Sequence, residues 1–262
     1  MKGITILCAV LLAGCALHVS PHPPFTETAV TLVKEPLDIR LIPPTPGCGE
    51  PILVLFATGD GGWRSLDRKV FARIGEQGYA VAGFSANRYL KTMREVSDTT
   101  TPPKLAADFE RIVRFAKQSM NLAPDAAVIL VGISRGAGLM SIAAGQQALQ
   151  KQLAGLIAIA LGDVEEHVIH RRLGSPGSAW VAVETYRDLR LLTDLRIEIL
   201  QSTHDKYTSA ARARELFGAD TPLHHVHAIA ADSHSFRGGL PALFAQLQDS
   251  LARLRSQSCS AL

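Results

Sequence analysis

The sequence predicts an α/β fold, with a mostly parallel, doubly wound sheet and helices on both of its faces. Six apolar runs alternate with helical patterns, at residues 52–57, 79–84, 127–133, 156–161, 197–200 and 226–230. Runs this apolar fit strands that are buried on both faces of a parallel sheet. The repeated alternation of strand and helix therefore predicts a doubly wound arrangement.

The strongest helical pattern covers residues 103–120. Pro103 stands near its start, as is typical of helix N-termini, and its apolar side chains form one stripe: Leu105, Phe109, Ile112, Val113, Ala116 and Met120. A second helix over residues 240–254 closes the domain. Two short strands, at 29–33 and 37–41, precede the first buried run.

The interval at residues 163–194 is longer than an ordinary strand-to-helix connection. We expect it to hold a helix and a small lid.

Composition favours one globular domain. The chain has 262 residues, of which 47% are hydrophobic and 19% charged, so it is long and apolar enough for a single large core. Its net charge is +3 and is spread without long basic blocks. The electrostatic footprint of a nucleic-acid-binding protein is therefore missing.

The N-terminus is typical of an exported protein. Lys2 is followed by an apolar run at 4–12, small residues and Cys15. This pattern predicts a signal peptide over residues 1–14, too short to span a bilayer permanently. The run Leu12-Ala13-Gly14-Cys15 also resembles the bacterial lipobox, which predicts lipidation of Cys15 and a periplasmic, membrane-anchored protein. An ordinary signal peptide, cut a few residues later, is the alternative.

For a protein anchored in this way, residues 15–28 are predicted to form a Pro- and His-rich tether and residues 29–262 to form the domain. Cys48 and Cys259 flank the domain near its two ends, and an oxidising compartment permits them to form a disulfide. Spacing alone does not show that their Cα atoms approach, so two unlinked thiols remain equally open.

Ser134 is the strongest candidate for a catalytic residue. It lies in Gly132-Ile133-Ser134-Arg135-Gly136, directly after an apolar strand and directly before a helical pattern. Strand, sharp turn and helix are the context of a nucleophile elbow, in which glycines flank the serine because its backbone is strained. A structural N-cap serine is the alternative.

Asp205 and His234 complete the order serine, acid, histidine that this kind of elbow uses. Each follows a predicted strand, at the edge where sites of open α/β sheets assemble. Among nine histidines, His234 is the one that lies in a loop after the last strand. Asp232 is the rival acid, although it more readily caps the turn. These residues predict acyl transfer by a triad that needs no metal or other cofactor.

Two backbone amides are expected to form an oxyanion hole. One belongs to Arg135, at the start of the helix after Ser134. The other belongs to Asp60 or Gly61, in the glycine-rich loop Thr58-Gly59-Asp60-Gly61-Gly62-Trp63 after an earlier strand. A metal enzyme that uses His204, His224, His225 and His227 is a rival interpretation. His225 and His227 share one face of a strand and could form a ligand pair, but the pattern supplies no third ligand.

With these residues placed, the chain resembles the bacterial VirJ/AcvB virulence-protein family over residues 51–254. The resemblance is carried by Gly59 to Trp63, by Ser85-Ala86-Asn87-Arg88-Tyr89-Leu90 and by Gly132 to Ala137. It implies a periplasmic α/β-hydrolase that uses Ser134, Asp205 and His234. AcvB-type members are implied to hydrolyse aminoacylated phosphatidylglycerol, notably the lysyl ester. VirJ-type members are implied to assist secretion of virulence substrates, so secretion-system proteins are candidate partners.

We expect Asp60, Trp63 and Tyr89 to contact a lipid or small ester substrate. The carboxylates expected to face a lysyl ammonium are those of Asp60, Asp163, Glu165 and Glu166. The residues after Ser134 and around His234 depart from the family's usual pattern, so the resemblance supports the triad more firmly than the substrate.

Overall fold

The computed structural model describes residues 23–32, 35–46, 51–95, 101–168 and 180–255. The predicted signal peptide, Cys15, Cys48 and Cys259 lie outside these residues. Within them, no helix is both long enough and apolar enough to cross a membrane.

Eight strands form the central sheet: β1 (Thr26–Thr31), β2 (Pro36–Ile42), β3 (Leu53–Ala57), β4 (Ala80–Phe84), β5 (Val128–Ile133), β6 (Leu153–Ile159), β9 (Ile197–Ser202) and β10 (His224–Ile229). Their order is β1-β2-β4-β3-β5-β6-β9-β10. The pairs β1/β2 and β2/β4 are antiparallel, and every other pair in this sheet is parallel. The predicted mostly parallel sheet is thus confirmed.

The helices are α1 (Ser65–Glu76), α2 (Ala86–Glu95), α3 (Pro102–Ser119), α4 (Arg135–Ala144), α5 (Gln147–Gln150), α6 (Thr185–Arg190), α7 (Ala210–Phe217) and α8 (Leu240–Arg255). They cover both faces of the sheet, because side chains alternate along each strand. Val54 and Phe56 of β3 join the core under α1 and α8, whereas Leu53 and Leu55 join the core under the other helices.

Helix α3 shows how the sequence pattern becomes structure. The Thr101 hydroxyl accepts a hydrogen bond from the Lys104 amide at 3.4 Å, and prolines occupy the first turn, where no amide donor is needed. Leu105, Phe109 and Ile112 of the predicted stripe are all buried. The helix therefore lies within one residue of the predicted bounds at each end.

Strand β1 starts earlier than expected, and the interval at 163–194 contains two strands besides the helix that was expected there. Strand β1 begins at Thr26, inside the residues expected to form the tether, and pairs along its whole length with β2. It is a mostly exposed edge strand, so its polar composition carries little strand signal. The long interval at 163–194 holds helix α6 and a separate antiparallel pair, β7 (Val164–Val168) with β8 (Trp180–Glu184).

A buried carboxylate ties the last helix to the sheet. Glu198 of β9 is only 2% exposed. It accepts hydrogen bonds from Arg253 at 2.9 and 2.7 Å, contacts His227 Nε2 at 2.5 Å and accepts from the Ser250 hydroxyl at 3.2 Å. Burial opposes ionisation, but the hydrogen bonds from His227 and Arg253 outweigh it and lower the pKa of Glu198 to about 2. The ion pair therefore stabilises the fold only while Glu198 is charged.

We expect Glu198→Gln to lower the free energy of unfolding by about 3 kcal/mol at pH 7, because Arg253 and His227 lose their buried partner. The folded pKa lies below the unfolded one, so this contribution is present above about pH 4.5 and is lost as pH falls towards 2. Urea unfolding across that range should show the difference between wild type and variant shrinking. Glu215→Gln, which removes an exposed ion pair to Arg212, is the control and should cost under about 1 kcal/mol. A constant difference at every pH would refute this account.

Candidate active site

The parallel strands end at one edge of the sheet, and the loops that follow them surround a cavity. Its volume is about 740 Å³, and it is lined by residues 59–61, 64–67, 133–135, 162–165, 207 and 234–235. These residues follow β3, β5, β6, β9 and β10, so five connections meet at the cavity. This is the edge at which open α/β sheets bind their ligands.

Ser134 lies at the strained turn between β5 and α4. Its φ and ψ are 51° and −116°, a conformation that residues with a Cβ rarely adopt. The Ser134 amide donates to the Ile159 carbonyl of β6 at 2.8 Å, which holds the turn against the sheet. A Cβ on Gly132 would fall 2.4 Å from the Gly136 backbone, and one on Gly136 would fall 2.3 Å from the Ala57 carbonyl oxygen. Both positions therefore require glycine, as expected for a nucleophile elbow.

Asp205 and His234 are brought together although 29 positions separate them in the chain. His234 Nδ1 lies 2.6 Å from Asp205 Oδ2, and the Asp205 side chain is fully buried whereas that of His234 is 26% exposed. The structure thus brings Asp205, and not Asp232, to His234. Phe236 anchors the histidine loop, since its ring is fully buried in the core under α8.

Two neighbours position this pair. The buried side-chain amide of Gln201 donates to Asp205 Oδ2 at 3.1 Å and also to the Thr208 carbonyl. The backbone amide of Tyr207 donates to Asp205 Oδ1 at 2.9 Å. The Tyr207 ring meets the His234 ring edge to face, with centroids 4.9 Å apart. Gln201 lies in β9, directly after the apolar run predicted at residues 197–200. The only sequence signal for its role is a polar residue directly after an apolar run.

Three of the other histidines lie away from the cavity. His227 pairs with Glu198 under α8, His224 Nε2 lies 3.1 Å from the Leu192 carbonyl, and His225 stacks on His227. Among the residues that the structure describes, no three His, Cys, Asp or Glu side chains are grouped so as to hold a metal ion.

Side chains of α1 and α2 hold the glycine-rich loop after β3 through hydrogen bonds. Asp67 of α1 accepts hydrogen bonds from the Gly59 amide at 2.9 Å and the Arg64 amide at 3.2 Å. Burial raises the pKa of Asp67, against the lowering effect of these two bonds. Asn87 of α2 donates to the Asp60 carbonyl at 2.8 Å. Sequence reasoning did not identify Asp67 or Asn87 as positioning residues, because neither forms part of a motif with a known role in the chemistry.

The amides expected to form an oxyanion hole lie around the same cavity. The amides of Asp60 and Gly61 donate to no acceptor in the described part of the chain. Arg135 is the first residue of α4, where the helix offers its amide no acceptor four residues back.

The Arg135 side chain links three parts of the site. Its Nε donates to Asp60 at 2.9 Å, and its Nη1 contacts Glu165 of β7. Burial disfavours the charged guanidinium, but both carboxylates outweigh this effect and raise the pKa of Arg135. Asp60 and Glu165, which the sequence suggested would face a substrate cation, therefore both form ion pairs with Arg135.

Trp63 and Tyr89 do not line the cavity, which corrects their expected contact with substrate. Trp63 packs against Phe56 and Phe71, with the Arg40 guanidinium 4.3 Å from its ring centroid. Tyr89 is fully buried, and its hydroxyl lies 3.2 Å from a carboxylate oxygen of Asp108. Both aromatic rings are used in core packing instead.

Together, the sheet order, the elbow and the Asp205–His234 pair define an α/β-hydrolase fold. Solved structures with this fold resemble the chain along most of its length. Est1E from Butyrivibrio proteoclasticus has a TM-score of 0.63 at 11% identity, covering 88% of this chain and 99% of its own. An esterase domain from a Rhodothermus marinus protein has a TM-score of 0.56 at 16% identity, covering 88% of this chain and 98% of its own. An α/β serine hydrolase homologue from Coxiella burnetii has a TM-score of 0.59 at 15% identity, covering 85% of this chain and 95% of its own.

More particularly, the chain belongs to the VirJ family of bacterial virulence proteins, whose sequence model matches residues 51–225. The matched range includes Ser134 and Asp205 and ends before His234. The resemblance seen in the sequence is therefore confirmed. No curated protein sequence matches the chain.

We expect Asp67→Asn to loosen the loop after β3. Asparagine has one acceptor oxygen, so the Gly59 or the Arg64 amide must face an NH₂ group instead of an acceptor. The free energy of unfolding should fall by about 2 kcal/mol, and amide hydrogen exchange at Gly59 should accelerate. Glu76→Gln, at the exposed far end of the same helix, is the control. An unchanged exchange rate at both amides would show that Asp67 does not hold the loop.

Proposed function

We propose that this protein is a serine hydrolase that cleaves ester bonds, with Ser134 as nucleophile, His234 as base and Asp205 as acid. The observation that carries the proposal is the 2.6 Å contact of His234 with a buried Asp205, in the same cavity as a serine with the strained elbow conformation. The fold, which the chain shares with esterases, supports this proposal.

The Asp205 carboxylate determines which ring nitrogen of His234 donates a hydrogen bond and which accepts one. An ionised Asp205 can only accept, so His234 carries its proton on Nδ1 and keeps Nε2 as an acceptor for the Ser134 hydroxyl. As Ser134 attacks the ester carbonyl, Nε2 takes its proton and then passes it to the departing alcohol. Water next gives a proton to His234 and attacks the acyl group, which releases the acid and restores Ser134.

Backbone amides beside the cavity can donate hydrogen bonds to the negative charge that develops on the carbonyl oxygen of the ester. The Arg135 amide at the α4 N-terminus, together with the amide of Asp60 or Gly61, is assigned to the oxyanion hole. The ion pair of Arg135 with Asp60 holds the two halves of this hole together, because it joins the helix after Ser134 to the loop after β3.

The test is covalent labelling with a fluorophosphonate, followed by hydrolysis of short-chain esters. The wild type should be labelled and active, whereas Ser134→Ala should lose labelling and at least about 10³-fold in kcat. Ser65→Ala, which alters another serine beside the cavity, should behave as the wild type. A folded wild type that never labels would exclude the proposal and favour a non-catalytic role in secretion.

We further propose that the ester is an aminoacylated phosphatidylglycerol, such as the lysyl ester that the family resemblance implies. Asp163 supports a cationic acyl group, because its exposed carboxylate lines the cavity and forms no ion pair with the described residues. Of the four acidic residues expected to meet the ammonium, Asp60 and Glu165 are paired with Arg135, and the side chain of Glu166 lies outside the description. Asp163 is thus the residue to which the lysyl group is assigned.

We expect the wild type to release lysine from lysyl-phosphatidylglycerol in mixed micelles, and Ser134→Ala to release none. Asp163→Asn should lower kcat/KM for this lipid about threefold, as is typical of an exposed charge pair, with little change for 1-butyryl-glycerol. Asp188→Asn removes another exposed charge, outside the cavity, and serves as the control. If short esters are cleaved but the lysyl lipid is not, the substrate proposal fails while the serine hydrolase remains.

A further inference from the structure

Arg64 is a cavity residue that the proposed mechanism does not use. It lies between the glycine-rich loop and α1, and its exposed side chain lines the same cavity as Ser134 and His234. Only one other arginine, Arg135, lines this cavity in the described part of the chain.

The two arginines differ in their partners. Arg135 is bound by Asp60 and Glu165, so its charge is neutralised within the protein. The Arg64 side chain, in contrast, forms no hydrogen bond or ion pair with any described residue. Asp67 is close enough for the positive charge to lower its pKa, but its oxygens are bound to backbone amides and burial dominates. The guanidinium of Arg64 therefore keeps its donors for a ligand.

The position of Arg64 relates it to the reacting bond. A Cβ on Gly61 would fall 2.0 Å from Arg64 Nε and 2.6 Å from Cζ. The guanidinium thus packs directly on the loop whose amide is assigned to the oxyanion hole. A group bound by Arg64 would lie next to the scissile ester.

The sheet order also separates the two unpaired charges. Strands β3 and β6 are the two neighbours of β5, which carries Ser134 at its end. Arg64 follows β3 and Asp163 follows β6, so positive and negative charges flank the nucleophile on opposite sides. An anionic group is favoured on the α1 side and a cationic group on the β7 side.

We propose that Arg64 is a substrate-recognition residue, and that the substrate carries a phosphate or carboxylate group beside the scissile ester. The planar guanidinium presents paired donors that match both kinds of oxyanion. This inference rests on the proposed function, because it takes the ester to bind at Ser134.

The test measures binding to the hydrolysis-deficient Ser134→Ala protein, by calorimetry. The phosphate probe is 1-butyryl-glycerol 3-phosphate, with 1-butyryl-glycerol as its neutral match. The carboxylate probe is monomethyl adipate, with methyl hexanoate as its match. At least one anionic ester should bind about tenfold more tightly than its match, and adding Arg64→Gln should abolish that preference. The pair that responds shows which anion is recognised.

Two further variants separate recognition from structure. Lys69→Gln removes an exposed positive charge from helix α1, which begins directly after Arg64, and should keep the preference. Gly61→Ala keeps the charge but places a methyl group where the guanidinium lies, so it should lose the preference.

The inference is overturned if Ser134→Ala shows no preference for either anionic ester. It is also overturned if Arg64→Gln weakens the binding of charged and neutral esters equally. A preference that depends on Arg64, in a protein whose wild type cleaves no ester and is not labelled at Ser134, would refute the proposed function and leave anion recognition standing.

Discussion

The close approach of the elbow to the end of β3 is the contact on which the site depends. With glycine at 136, the first turn of α4 can lie against the carbonyl groups of Ala57 and Thr58, where any Cβ would collide with backbone. This contact places Ser134, the α4 N-terminus and the glycine-rich loop around one point. The strain at Ser134 is tolerated because its amide and carbonyl both have partners, in β6 and in α4.

Charges around the cavity fall into two groups. Arg135, Asp60 and Glu165 satisfy one another and fasten the loop after β3, the helix α4 and the strand β7 together. Arg64 and Asp163 have no such partners in the described part of the chain and face the cavity. The first group holds the shape of the site, and the second leaves a positive and a negative charge on opposite sides of Ser134 to select a ligand.

The aromatic residues of the two family motifs have a different role from the one expected of them. Trp63 adjoins Arg64, which lines the cavity, and Tyr89 lies two residues after Asn87, which holds the glycine-rich loop, yet their rings point into the two cores on either side of the sheet. Burial of a large ring stabilises the fold far more than an exposed position at a cavity rim would. Proximity in sequence to a site loop therefore did not imply contact with the cavity.

Much of this protein follows from local features of the chain. The buried strands are visible as continuous apolar runs, the helix α3 as a 3.6-residue period, and the elbow as one uninterrupted stretch from β5 through Ser134 into α4. The order of Ser134, Asp205 and His234 along the chain also follows from placing each after a strand. Tertiary structure alone decided that Asp205 rather than Asp232 meets His234, that Gln201 and Asp67 position the site, and that Arg135 pairs with both Asp60 and Glu165. The contacts of His234 and Arg135 join residues 29 to 75 positions apart, so they depend on distances that no local pattern encodes. Gln201 and Asp67 bind partners three to eight positions away, but which atoms meet depends on how the loops fold against the sheet.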